Sequence, residues 1–158
     1  MADLIVNLYE KDFINDNQVK LKNEKIKIKR LLSPNADSLV NFVSKHFTSG
    51  WASEVKAAAY KSNPSCFVAT HQGEIIGFAC YDATAKGYFG PTGVNSDYRG
   101  NNIGQVLFLT TLEAMKEAGY GYVIIGSVGK SVKGFYSKYV TVQEIDIKPD
   151  LYSRLINR

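Results

Sequence analysis

The sequence predicts an α/β fold of the α+β kind: a mixed, mostly antiparallel sheet with helices on both faces. Three observations predict it. Two strand-like runs, 66–70 and 75–81, flank the turn pair Gln72-Gly73 and read as a β-hairpin. A third run, Tyr88 to Val94, continues the antiparallel order. An apolar helical pattern from Gly104 to about Ala118 then leads into Tyr122-Val123-Ile124-Ile125. A strand–helix–strand crossover of that kind makes its two strands parallel neighbours.

Residues 1–24 read as an N-terminal extension with one apolar stretch, Leu4 to Leu8, followed by the polar residues Asn15, Asp16, Asn17 and Gln18. Such a segment can dock as an added strand or an added helix. The main domain, 25–158, starts with the strict alternation Lys25-Ile26-Lys27-Ile28-Lys29, the pattern of a half-buried strand. Ser33-Pro34 offers an N-cap with proline at the first helical position. Leu39, Val40, Phe42, Val43 and Phe47 form the buried stripe of that helix, and Ser49-Gly50 is expected to stop it. A second, alanine-rich helix is expected over about Ser53 to Lys61, ended by Asn63-Pro64. The 104–118 helix buries Leu107, Phe108, Leu112 and Met115, with Gly119 placed for a left-handed C-terminal cap. The run 122–125 suits a strand covered on both faces. A short helix, about Lys133 to Tyr139, and a strand from Val142 to Ile147 complete the expected order.

Length and composition bound the function. A chain of 158 residues suits one domain that buries its core without disulfides or metals. The formal charge of +4, from 19 basic and 15 acidic residues, suits anionic ligands of nucleotide type but is too small to argue for DNA or RNA. The basic stretch Lys20 to Arg30 reads as the solvent face of an edge strand. Met1 to Asp12 lacks the long apolar core of a signal peptide, and no run is long enough to span a bilayer. Cys66 and Cys80 fall inside strands and read as buried free thiols, so a cytoplasmic location is expected. Metal-ligand spacings are absent, and no metal is expected.

The chemistry concentrates at Arg99-Gly100-Asn101-Asn102-Ile103-Gly104, between a strand and a helix N-terminus. Unpaired N–H groups and a partial positive charge there can hold a pyrophosphate, and glycine at 100 and 104 lets the backbone approach it. Neither a Walker loop nor a dinucleotide fingerprint is present.

The stretch Val94 to Gly104 resembles motif A of the GNAT superfamily of N-acetyltransferases, Arg/Gln-x-x-Gly-x-Gly/Ala after a strand and before an apolar helix. Arg99, Ile103 and Gly104 match, whereas Asn102 stands where the family usually has glycine. Asparagine tolerates left-handed backbone angles best after glycine, so the departure is mild. The strings Gly90-Pro91-Thr92-Gly93-Val94 and Gly134-Phe135-Tyr136-Ser137-Lys138 resemble a bacterial subgroup of the same superfamily. The resemblance implies an acetyl-CoA-dependent N-acetyltransferase domain over 25–158, acting on a primary amine in a ternary complex. It implies cofactor contacts at Thr92, Gly93, Val94, Arg99, Gly100, Asn101, Asn102, Ile103, Gly104 and Phe135. Pro91 cannot donate to a ladder, so strand 88–94 should bulge or open there. In the family the bulged strand pairs with the pantetheine arm, which points to the backbones of Gly93 and Val94.

Tyr136 occupies the place of the family's general acid; it also shares its helix with Phe135 and Tyr139, which suits simple packing. No base is evident. Asp82 is at most a remote base, Glu54 is the other carboxylate considered, and both also read as solvated surface acids. Trp51, Tyr81 and Phe89 are candidates for the acceptor pocket, while His46 and His71 read as surface residues. The acceptor is expected to be a small amine or a peptide. Neither nucleic acid nor membrane is an expected partner, and homodimerisation is left open. The competing reading is a CoA-binding regulatory or accessory module without turnover.

Overall fold

The computed structural model describes residues 2–10, 12 and 19–156. The polar run Asn15 to Gln18 lies outside the described residues. Seven strands form one sheet: β1 (Ala2–Asn7), β2 (Lys27–Arg30), β3 (Cys66–His71), β4 (Glu74–Tyr81), β5 (Tyr88–Val94), β6 (Tyr122–Val128) and β7 (Val142–Ile145). Their spatial order is β2-β3-β4-β5-β6-β1-β7. Every pairing is antiparallel except β5 with β6.

Helices α1 (Ala36–His46) and α2 (Ser49–Ala59) cover one face, and α3 (Ile103–Glu117) and α4 (Lys130–Ser137) cover the other. The alternation of β3 decides which side chains go where. Cys66 and Val68 join Leu39, Val43, Val55 and Phe78 under α1 and α2, while Phe67 and Ala69 join Leu107, Phe108 and Met115 under α3. The hairpin turn is built as expected, with Gln72 at φ 52° and Gly73 at φ 78°, a pair of left-handed residues matched to strand twist. The expected cap of α3 also forms. Gly119 at φ 99° donates to the Lys116 carbonyl at 3.0 Å, and Tyr120 donates to that of Met115 at 3.1 Å.

Several expectations need correction. Ser49-Gly50 does not stop α1; it opens α2, because the Thr48 hydroxyl accepts from the Trp51 N–H at 3.1 Å and caps the new helix. Ser33 caps nothing and lies within a 3₁₀ turn, Ser33–Asn35, that leads into α1. Strand β6 is not covered on both faces. Val123 and Ile125 are buried but Tyr122 is exposed, since the helices overlie only the face that Val123 and Ile125 present. A 3₁₀ turn at Leu151–Arg154 follows β7.

Of the two ways the N-terminal segment could dock, Ala2–Asn7 takes the strand. Strand β1 inserts between β6 and β7 and buries Leu4 and Val6, so the sheet runs across the 24/25 division without a break. Further along the same segment, Lys22 donates its N–H to the Asn101 carbonyl at 3.2 Å, and the Asn102 side-chain amide donates to the Lys20 carbonyl at 2.9 Å.

Candidate functional site

The site is a wedge opened by the sheet itself. β5 and β6 pair only at Tyr88 with Ile124 and Phe89 with Ile125, although both strands run on for several residues. Beyond that point they part. The register of β5 on β4 shifts over the same stretch, where Pro91 has no N–H to give a ladder. The expected opening at Pro91 is therefore present.

One limb of the wedge is a cavity of about 610 Å³ between β5, the loop 95–102, the first turn of α3 and α4. Thr92, Gly93, Val94, Arg99, Gly100, Asn102, Ile103, Gly104, Phe135 and Tyr136 line it, together with Phe47 and Tyr98. Among the described residues, Arg99 is the one charged residue in that lining. Asn102 sits at φ 63° and Gly100 at φ 87°, so the asparagine does adopt the left-handed conformation for which glycine is usual. The first bond closing α3 runs from the Val106 N–H to the Asn102 carbonyl at 3.0 Å. The amides that precede it have no earlier helical turn to pair with and lie at the cavity wall.

Backbone direction on β5 can be read from its last bond. Asn95 donates to the Ile76 carbonyl at 2.8 Å, so residues of the same parity, including Gly93, face β4. Thr92 and Val94 turn their N–H and C=O toward the wedge. The backbone groups of Gly93 therefore point at β4, and Gly93 borders the wedge with its bare Cα. A side chain there would run into the ring of Phe47. Asn101 serves the loop itself. It is absent from the lining, and its side-chain amide donates to the Tyr98 carbonyl at 2.9 Å to shape the loop.

The second limb, about 450 Å³, lies across β5 between α2, β6 and the Leu151–Arg154 turn. Its walls include Trp51, Glu54, Thr84, Phe89, Ile125, Val132 and Tyr152. Thr48's cap puts Trp51 in the first turn of α2, and Glu54 follows three residues later on the same face. The Trp51 ring stacks on Phe47 with centroids 5.3 Å apart, linking the two limbs through one aromatic pair. Glu54 is half-buried; its Oε2 accepts from the Thr84 hydroxyl at 3.0 Å. Burial raises its pKa above the usual carboxylate value, and the Thr84 hydrogen bond offsets part of that rise.

Two limbs share Thr92, Val132 and Tyr136. The Tyr136 ring is 5% exposed and packed against Phe108 and Phe135, with centroids at 4.8 and 5.3 Å. No hydrogen bond within the described residues engages its hydroxyl. Burial alone pushes its pKa up to about 12. The ring therefore packs, while the hydroxyl remains free at the junction.

Among the other candidates, Trp51 and Phe89 line the second limb, but Tyr81 does not. Its hydroxyl accepts from the Arg30 guanidinium at 3.0 Å, away from the wedge. Asp82 is likewise outside both limbs. Its Oδ1 accepts from the Gly87 N–H at 2.8 Å and its Oδ2 from the Tyr120 hydroxyl at 2.7 Å, so both oxygens hold the β4–β5 connection. His46 is exposed as expected, whereas His71 is half-buried with Nδ1 2.9 Å from the Tyr98 hydroxyl. Phe47, Val132, Tyr152 and Gly126 were missed. Gly126 leaves the space that the Tyr152 hydroxyl fills.

Comparison with known proteins agrees with this geometry. Residues 34–139 match the model of the Acetyltransferase (GNAT) family. No curated protein matches the sequence significantly. Among solved structures, a glucosamine N-acetyltransferase region in a fungal multi-domain beta-N-acetylglucosaminidase superposes with a TM-score of 0.71 at 17% identity, over 90% of this chain and 20% of that one. A GCN5-related N-acetyltransferase from Sphaerobacter thermophilus gives 0.61 at 15% identity, over 90% of this chain and 48% of that one. A GNAT family acetyltransferase from Brucella melitensis, solved with acetyl-CoA, gives 0.55 at 19% identity, over 82% of this chain and 92% of that one. The chain thus spans about a fifth and about half of the first two proteins.

Proposed function

The chain belongs to the acetyltransferase (GNAT) family, and we propose that it transfers an acetyl group from acetyl-CoA to a primary amine by direct attack in a ternary complex. The observation that carries this reading is the Tyr136 hydroxyl, free of protein partners at the junction of two separate cavities. One cavity suits a pyrophosphate and its arm, the other an acceptor. The residues of the first limb fit the cosubstrate: an anion-binding helix N-terminus, Arg99, left-handed turns that bare the backbone, and the outward backbone groups of Thr92 and Val94.

Bound acetyl-CoA supplies the thioester whose carbonyl carbon the amine nitrogen attacks, so that a C–N bond forms as the C–S bond breaks. Tyr136 meets the departing sulfur. Its raised pKa keeps the phenol protonated across neutral and alkaline pH, so it donates a hydrogen bond to the thiolate and passes on a proton as the thiol re-forms. Thr92, anchored by its hydroxyl to the Phe78 carbonyl at 2.9 Å, holds β5 at the crossing of the limbs. Phe89 and Trp51 confine the acceptor, and Glu54 replaces Asp82 as the carboxylate in reach of the amine's departing proton.

Release of free thiol from acetyl-CoA over a panel of primary amines tests this reading against that of a CoA-binding module. Amine-dependent thiol release is expected. Tight acetyl-CoA binding without turnover of any amine would favour the module.

A further inference from the structure

The second limb has a charge inventory that restricts its occupant. Among the described residues Glu54 is the one charged side chain lining it, and no lysine, arginine or histidine does. Oε2 of Glu54 is held by Thr84, while Oε1 has no hydrogen-bond partner among the described residues. No ion pair among those residues involves Glu54. A half-buried carboxylate with one open oxygen is an incomplete pair: it has lost part of its water and gained no counter-charge. The remaining walls are aromatic or aliphatic, from Trp51, Phe89, Ile125, Val132 and Tyr152. A volume of about 450 Å³ is in the range of small-molecule pockets.

Resting on the acetyl-transfer reading above, we infer that the acceptor is a small cationic amine with no anionic group of its own, its ammonium drawn to Glu54 and its carbon frame held between Trp51, Phe89 and Tyr152. An α-amino acid brings a carboxylate within a few bonds of its ammonium. In this limb that carboxylate meets Glu54 and neutral walls, while Arg99 serves the other limb. Like charges brought together in a partly desolvated site cost several kcal/mol, so the limb selects against such acceptors.

Matched pairs that differ by one carboxylate test the inference: tyramine against tyrosine, and 1,4-diaminobutane against ornithine. Acetyl-CoA affinity is measured in parallel by calorimetry. Each decarboxylated member should be used with kcat/KM at least about 30-fold higher than its partner. Glu54→Gln should shrink that ratio to within about threefold, and Glu54→Lys should reverse its direction, both with acetyl-CoA affinity unchanged. Equal or better use of tyrosine or ornithine would overturn the inference, as would a preference that survives in Glu54→Gln. Acetyl-CoA binding with neither member of any pair turned over would overturn it too, leaving the nucleotide limb intact. Failure of wild-type protein to bind acetyl-CoA would overturn both this inference and the reading on which it rests.

Discussion

The two limbs of the wedge are built from one strand yet differ in charge, in source and in how they are held. The cofactor limb draws nearly all of its wall from two contiguous stretches, 92–105 and 131–136, and carries a single positive side chain, Arg99, beside a helix N-terminus. The acceptor limb gathers Trp51 and Glu54 from α2, Thr84 from a loop, Phe89 from β5, Ile125–Val128 from β6, Gly129 after it and Tyr152 from the C-terminal turn. Its single charge is negative. Backbone geometry makes the first limb; side chains brought from distant parts of the chain make the second. It follows that substitutions in the first should act on the nucleotide, and those in the second on the acceptor. Tyr136, which both share, should act on the chemical step alone.

The largest effect is expected where the limbs meet. Tyr136→Phe keeps the packed ring and removes the free hydroxyl, so kcat should fall about 10²- to 10⁴-fold with acetyl-CoA affinity unchanged. A loss below about threefold, far short of that range, would reduce Tyr136 to packing. Because burial holds the phenol near 12, the wild-type rate should show no decline from Tyr136 below about pH 10.

A somewhat smaller effect is expected inside the cofactor limb. A Cβ at Gly104 would sit 3.8 Å from Phe135 and 3.9 Å from Val94, ordinary contacts that the free protein tolerates. The larger side chain of Gly104→Val then projects into the limb and should weaken acetyl-CoA binding about 10- to 100-fold in a folded protein. Calorimetry and far-UV circular dichroism on the same sample check both halves of that statement.

In the acceptor limb, Gly126→Ala should displace the Tyr152 hydroxyl. Tyr152 lies on a short surface turn and can move, so the expected cost is about 1 kcal/mol, or about fivefold in acceptor KM, with acetyl-CoA affinity untouched. A matching loss of nucleotide affinity would mean the limbs are not separable.

The smallest effect concerns stability. Glu54's pKa is raised in the folded state, so folding favours its protonated form, and the ionised form present at neutral pH costs stability. Stability from this group therefore falls as pH rises from the ordinary carboxylate value through the raised one. Glu54→Gln should raise Tm at neutral pH by about 1 °C, and the gain should vanish once pH drops below the ordinary carboxylate range. A destabilised Gln variant at neutral pH would indicate that Glu54 is paired rather than desolvated.

The same contrast between limbs explains what the sequence made legible. The segment 92–104 and the helix with Phe135 and Tyr136 could be placed from sequence because their geometry lies in local order: a strand, a left-handed turn, a helix start. Asn102 in place of glycine could be judged from conformational preference alone, and it does adopt the left-handed angle. The acceptor limb could not be read that way. Asp82 and Glu54 are equally polar in sequence, and only the tertiary fold shows that Asp82 is consumed by Gly87 and Tyr120 while Glu54 faces a cavity. Tyr152 and Gly126 gain meaning only from each other, 26 residues apart. Strand β1 is not separable from a helix in the sequence for a related reason: its six residues become a strand through β6 and β7, which lie far along the chain.

In the proposed function one wedge, pivoting on Tyr136, joins a nucleotide limb to an acceptor limb. A crystal structure of the protein with CoA tests it most directly. The pyrophosphate is expected against the backbone of 100–104, the pantetheine arm along Thr92 and Val94, and the sulfur within hydrogen-bonding distance of the Tyr136 hydroxyl. CoA bound elsewhere, or seated in this limb with its sulfur turned away from Tyr136, would contradict it.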